Sequence, residues 1–89
     1  MNRYLIETYH TKEDCLQVLD MILAHGFITH YDWGCEDGNH KGCAIVEADS
    51  SAEAILSVPP LVRHKALVVK LNKFSPEIIE ALHKEKENQ

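Results

Sequence analysis

The pattern of apolar and polar positions along the chain predicts an α+β fold. Four segments combine β-branched and aromatic residues with an alternation of period two, which is typical of strands that bury one face. These segments are residues 3–10, 27–34, 42–48 and 65–72.

Three helices are predicted from apolar spacing and from capping residues. The first ends at Gly26, since glycine favours the left-handed conformation that closes a helix. The second begins at Ser50, whose partner in a capping box is Glu53, and two prolines stop it after Ser57. An extra C-terminal helix begins near Ser75. The apolar face of the first helix is predicted to contain Cys15, Leu16, Leu19, Ile22 and Leu23.

The order of these elements is βαββαβ followed by a helix, which is the ferredoxin-like arrangement. It predicts a single domain over residues 1–89 with a four-stranded antiparallel sheet in the order 4-1-3-2. The helices should cover one face of this sheet. The opposite face is then left open to solvent, to a partner or to a ligand.

Alternate residues of a strand point to opposite faces, so each strand can be divided between the two faces. The helix-covered face is predicted to include Tyr4 and Ile6 of the first strand, Trp33 of the second, and Leu67 and Val69 of the fourth. The open face is predicted to carry five ionisable side chains, namely Glu7, His30, Asp32, Glu47 and Lys70.

Four interpretations of this ionisable row stay open. His30 and Glu47 could bind a divalent transition metal, because imidazole and carboxylate are suitable ligands. The row could instead bind a small molecule, or act as acid and base in a small cofactor-independent enzyme. Alternatively, Lys70 pairs with Glu7, and His30 with Glu47, as polar contacts in a dimer interface. The same face carries Leu5, Ile28, Ile45 and Val68, an apolar patch that predicts a homodimer.

The three cysteines do not form a recognisable disulfide framework, which predicts a reducing cytoplasm. Cys15 is predicted to be a small apolar residue of the first helix. Cys35, His40 and Cys43 flank an Asp37-Gly38 turn, but they match no closed zinc motif and supply only three ligands. Exposed thiols and a solvated histidine are therefore expected there.

Composition narrows the possible partners. The net charge is −5 and the pI is near 5.6. A chain this acidic is not expected to present the basic surface that binding to nucleic acid or to an anionic membrane requires. No apolar run approaches the roughly 20 residues of a membrane span. The chain also contains no phosphate-binding glycine loop and no nucleophile elbow.

Two segments resemble a known group of proteins. Residues 43–55, CAIVEADSSAEAI, and residues 66–71, ALVVKL, resemble small bacterial families of the dimeric α+β barrel superfamily. The resemblance implies a ferredoxin-like protomer that dimerises through its sheet. A weaker similarity links the chain to a nickel-binding branch, through Cys43, Glu47, Ala48 and the segment His30-Tyr-Asp-Trp33. Only His30 and Glu47 are possible ligands under this resemblance. The superfamily also includes cofactor-free monooxygenases and isomerases.

Overall fold

The computed structural model describes residues 1–87 and shows an α+β domain built on one antiparallel sheet. The strands are β1 (Asn2–Tyr9), β2 (Tyr31–Trp33), β3 (Lys41–Ala48) and β4 (Ala66–Leu71), and the helices are α1 (Cys15–His25), α2 (Ser51–Ala54) and α3 (Pro76–Glu87). The strands lie in the order β2-β3-β1-β4, which reads β4-β1-β3-β2 from the other edge. Short 3₁₀ turns complete the connections, at Ile28–His30, Cys35–Asp37, Ile55–Ser57 and Pro60–Lys65.

The hydrophobic core lies between one face of the sheet and the helical connections. Ile6 of β1 and Ala44 of β3 contribute the sheet side, while Val18 and Ile22 of α1 contribute the helix side. Val58, in the connection from α2 to β4, is fully buried as well. The core therefore covers one face of the sheet, and no layer formed by residues 1–87 covers the other face, here called the open face.

The predicted C-terminal cap of α1 and the predicted N-terminal cap of α2 are confirmed. Gly26 has a φ of 89° and its N–H donates to the carbonyls at the end of α1. The hydroxyl of Ser50 accepts a hydrogen bond from the backbone N–H of Glu53 at 3.1 Å. Local sequence determined both helix ends, because each depends on a single residue's conformation or side chain.

The predicted face of α1 is wrong in part. Ile22 is fully buried, but Leu16 and Leu23 are 71% and 60% exposed. Val18 lies in the core instead, and Met21 packs against it. The sequence of α1 contains so many apolar residues that two overlapping apolar faces fit its pattern. Contact with the sheet decides which of these two faces is buried.

The predicted second strand is also shorter than expected. Only Tyr31–Trp33 pairs with β3, and the preceding residues Ile28–His30 form a 3₁₀ turn. His30 is therefore exposed at the beginning of β2 and not within the sheet.

The assignment of β4 to the two faces is wrong by one residue. Ile6 lies opposite Val68, and Tyr4 lies opposite Lys70, so Val68 and Lys70 are on the helix-covered side. Leu67 and Val69 lie on the open face and are 49% and 38% exposed. A shift of one position in pairing register moves every side chain of a strand to the opposite face, and the apolar pattern of β4 is compatible with both registers.

Candidate metal centre

Four potential metal ligands meet at one end of the sheet, on the helix-covered side. They are His10, Cys15, Cys35 and His40, and one ligand atom from each lies within 4.8 Å of those from the other three. All four residues are half-buried. This cluster, here called the Cys₂His₂ cluster, joins the end of β1, the start of α1 and the loop between β2 and β3.

The pairing of β1 with β3 brings the two histidines together. Tyr9 and Lys41 are the last paired residues, and the backbone N–H of His10 donates to the carbonyl of His40 at 3.1 Å just beyond them. Their rings meet edge to face with centroids 5.9 Å apart. The sheet register therefore places both imidazoles on the same side, although 29 other residues separate them in sequence.

The loop from Gly34 to His40 positions Cys35. A Cβ on Gly34 would lie 2.7 Å from the carbonyl oxygen of Asn39, so a larger residue would push the two arms of the loop apart. The N–H of Asn39 donates to the carbonyl of Gly34 at 3.0 Å, and Gly38 supplies a positive φ of 83°. The expected two-residue turn at Asp37-Gly38 is replaced by this longer loop, and Cys35 starts its 3₁₀ turn.

The first residue of α1 supplies the fourth group. Cys15 begins the helix directly after a turn in which the N–H of Asp14 donates to the Thr11 hydroxyl at 3.3 Å. This turn brings the chain back over the end of the sheet within five residues of His10. Cys15 is therefore half-buried beside other ligand-type groups, and not the isolated apolar side chain that the helical pattern predicted.

The distances between the ligand atoms suit an ion with tetrahedral coordination. Bonds of about 2.3 Å to sulfur and 2.0–2.1 Å to nitrogen imply a sulfur-to-nitrogen edge of about 3.6 Å around zinc. Cys35 Sγ lies 3.4 Å from His10 Nε2. No two of the four ligand atoms are more than 4.8 Å apart. A pair at that distance must move about 1 Å closer to reach the ligand-to-ligand distance of a tetrahedral zinc site. Side-chain rotation can supply a movement of that size.

The charge state expected for His10 also suits metal binding. Burial lowers the pKa of His10, and the neighbouring His40 lowers it further, so the neutral imidazole is favoured. Burial raises the pKa of Cys35, and so does its contact with Cys15. A bound cation would reverse the second effect, because a coordinating thiol is deprotonated by the metal.

Trp33 forms one wall of the cluster. Its ring covers Gly42, where a Cβ would come within 2.7 Å of the ring carbons, and its centroid lies 6.1 Å from that of His10. The indole Nε1 and the Nδ1 atoms of His10 and His40 are buried and have no hydrogen-bond partner among residues 1–87. Burying a nitrogen without a hydrogen-bond partner costs free energy.

The ionisable row predicted for the open face is only partly assembled. His30, Asp32 and Cys43 line a shallow cleft of about 350 Å³, together with Leu5 and Ile45. Asp32 lies opposite Cys43 in the sheet, so Cys43 is on the open face and away from the Cys₂His₂ cluster.

The predicted ion pairs of the open face do not form. Arg3 lies opposite Glu47, and Glu7 accepts a hydrogen bond from Tyr9. That bond raises the pKa of Tyr9. Lys70 is on the other side of the sheet, as described above. The one ion pair within residues 1–87 joins Lys84 to Glu80.

A signal for the Cys₂His₂ cluster is present in the sequence. His10 and Cys15 are separated by four residues, and so are Cys35 and His40. Zinc ligands commonly occur as two such closely spaced pairs that the fold brings together. Cys43 flanks the same turn as Cys35 and His40, but it lies on the open face and is not part of the cluster. The two remaining ligands, His10 and Cys15, are distant from that turn in sequence.

Comparison of the chain with protein-family models, with curated proteins and with solved structures gives no match. Among residues 1–87, no helix combines the length and the apolar character needed to cross a membrane.

Proposed function

We propose that this protein binds a divalent transition metal through His10, Cys15, Cys35 and His40. The observation that carries the proposal is the convergence of these four ligand atoms within 4.8 Å of one another. The site differs in position from the metal site expected at His30 and Glu47, since it lies on the helix-covered side of the sheet.

Zinc is the metal that the ligand set favours. Thiolate sulfur is a soft ligand, and two thiolates with two imidazoles form a common closed tetrahedral zinc set. Four protein ligands leave no open position for a substrate, so the metal is assigned a structural role. It would connect α1 to the β2–β3 loop and to the end of β1.

Cobalt binding to the untagged protein tests the proposal. Co²⁺ in a tetrahedral site with two thiolates produces sulfur-to-metal charge-transfer absorption, and zinc should then displace it at one equivalent per chain. Cys35→Ser and His40→Ala should weaken zinc binding by more than the roughly 10–100-fold that loss of an outer-shell partner costs.

Cys43→Ser provides the matched control, because it removes a half-buried thiol from the open face of the same sheet. It should bind cobalt with an unchanged spectrum. A wild-type protein without the charge-transfer band, or a band that disappears in Cys43→Ser and survives in Cys35→Ser, would refute the assignment.

A ferredoxin-like fold and a homodimer formed through the open face remain part of the proposal. The element order and the strand order β2-β3-β1-β4 support the description of the fold as ferredoxin-like.

The proposed dimer is supported by exposed apolar residues on the open face, namely Ile45, Leu67 and Val69. In addition, the radius of gyration is 16.8 Å, compared with about 12 Å for a compact chain of this length. No residue of α3 is buried, although Ile78, Ile79 and Leu82 form part of it.

Ile45→Glu is expected to convert the dimer into a monomer, because it places a charge in the centre of the apolar surface. Sedimentation equilibrium at micromolar concentration should change from twice the chain mass of 10.1 kDa to that mass. Leu56→Glu is the control, since Leu56 has the same 56% exposure but lies in the helical connection. A wild-type protein that sediments at 10.1 kDa would contradict the dimer.

Small-molecule binding at the open-face cleft stays a prediction. His30 and Asp32 line that cleft, which supports a polar ligand, while Glu7 and Glu47 are outside its lining. Action of the protein as a small cofactor-independent enzyme likewise stays a prediction.

A further inference from the structure

We propose that Cys15 and Cys35 are a pair of thiols that hydroperoxides oxidise to an intramolecular disulfide, and that metal occupancy controls this oxidation. The second part rests on the metal-binding function proposed above. The first part rests only on the positions of the two thiols and holds for the metal-free protein as well.

Three observations single out this pair of cysteines. The two sulfur atoms lie within 4.8 Å of each other, and both residues are half-buried, so a small oxidant can reach them. A disulfide needs the sulfurs to approach to about 2.05 Å, which requires rotation of the two side chains toward each other. Cys43 cannot compete, because the pairing of Asp32 with Cys43 holds it on the opposite face of the sheet.

The position of the pair in the fold gives the disulfide a structural consequence. Cys15 is the first residue of α1, and Cys35 begins the turn between β2 and β3. A disulfide would join these two segments, as the metal would. Since the same two sulfurs form either the disulfide or the metal bonds, the two states exclude each other.

The chemistry balances with a hydroperoxide as oxidant. One thiolate attacks the O–O bond and becomes a sulfenic acid, while the peroxide's other oxygen departs as hydroxide or alkoxide, which a proton converts to water or an alcohol. The second thiolate attacks the sulfenic sulfur and expels hydroxide, which a proton converts to water. With hydrogen peroxide, two thiols and one peroxide give one disulfide and two waters. From the metal-bound state, two thiolates, one peroxide and two protons give the disulfide, two waters and the released cation.

His10 is placed to assist proton movement in this reaction. Its Nε2 lies 3.4 Å from Cys35 Sγ, within reach of a thiol proton. In the metal-bound state the same nitrogen would be a ligand, so the metal removes both the free thiols and the neighbouring base. Both effects should slow oxidation.

The experiment treats the full chain with hydrogen peroxide, once after metal removal with a chelator and once after loading with zinc. Free thiols are counted by alkylation and mass spectrometry, disulfides by peptide mapping, and released zinc with a chromogenic chelator. The metal-free chain should lose two of its three thiols, and the new disulfide should join Cys15 to Cys35. The zinc-loaded chain should form the same disulfide more slowly and release one zinc per disulfide.

Three variants complete the test. Cys43→Ser should form the same disulfide as the wild-type chain. Cys15→Ser and Cys35→Ser should form no intramolecular disulfide. Equal oxidation of all three thiols, or a disulfide that includes Cys43, would overturn the proposal.

The two proposals fail in different ways. If the metal-free chain forms the Cys15–Cys35 disulfide but zinc does not bind, the metal-binding function is wrong and the oxidisable pair stands without metal control. If zinc binds but neither form yields this disulfide, the oxidisable pair is wrong and the metal-binding function stands.

Discussion

Zinc is expected to raise the unfolding temperature of the metal-free protein by roughly 15 to 30 °C when free zinc exceeds its dissociation constant a thousandfold. A ligand that binds only the native state at this excess contributes about 4 kcal/mol, and each kcal/mol shifts the midpoint of a domain this size by about 4–8 °C. The effect should be large because all four ligands come from segments that unfolding separates. Differential scanning calorimetry of the chelator-treated protein, with and without zinc, measures it.

The cysteine variants determine whether the shift comes from the Cys₂His₂ cluster. Cys43→Ser should retain the full shift, whereas Cys15→Ser and Cys35→Ser should lose most of it. The midpoints of these variants without metal provide the baseline, since each substitution also changes packing slightly. An equal zinc-induced shift in the wild-type protein and in Cys35→Ser would place the stabilising ion elsewhere.

Replacement of Ile22 by alanine is expected to destabilise the domain by about 2–5 kcal/mol, because it removes a fully buried side chain from the contact between α1 and the sheet. The total stability expected for a chain of this length is only about 4–13 kcal/mol. The variant should therefore unfold at a much lower urea concentration than the wild-type protein, and circular dichroism during urea titration measures the change in midpoint.

Leu23→Ala is the matched control, since Leu23 is the next residue of the same helix and is 60% exposed. Its effect should stay within about 0.5 kcal/mol, as for other surface substitutions. The comparison tests the orientation of α1 directly. If Leu23→Ala destabilises as much as Ile22→Ala, the helix packs on the sheet through the face predicted from sequence, or a partner covers Leu23.

The sequence by itself determined the local features of this protein. The α+β class, the order of the elements and the helix ends at Gly26 and Ser50 all follow from short-range patterns. These features depend on the preferences of a few neighbouring residues, which act in the same way whatever the rest of the chain does.

Only the tertiary structure decided which faces are buried and where the candidate ligands meet. The register of β4 placed Lys70 opposite Tyr4, and contact with the sheet buried Val18 rather than Leu16. The pairing of β1 with β3 brings His10 next to His40, and the loop that requires Gly34 places Cys35 beside them. The apolar pattern allows more than one register and more than one helix face, and long-range packing selects between them. The location of the Cys₂His₂ cluster follows from that selection.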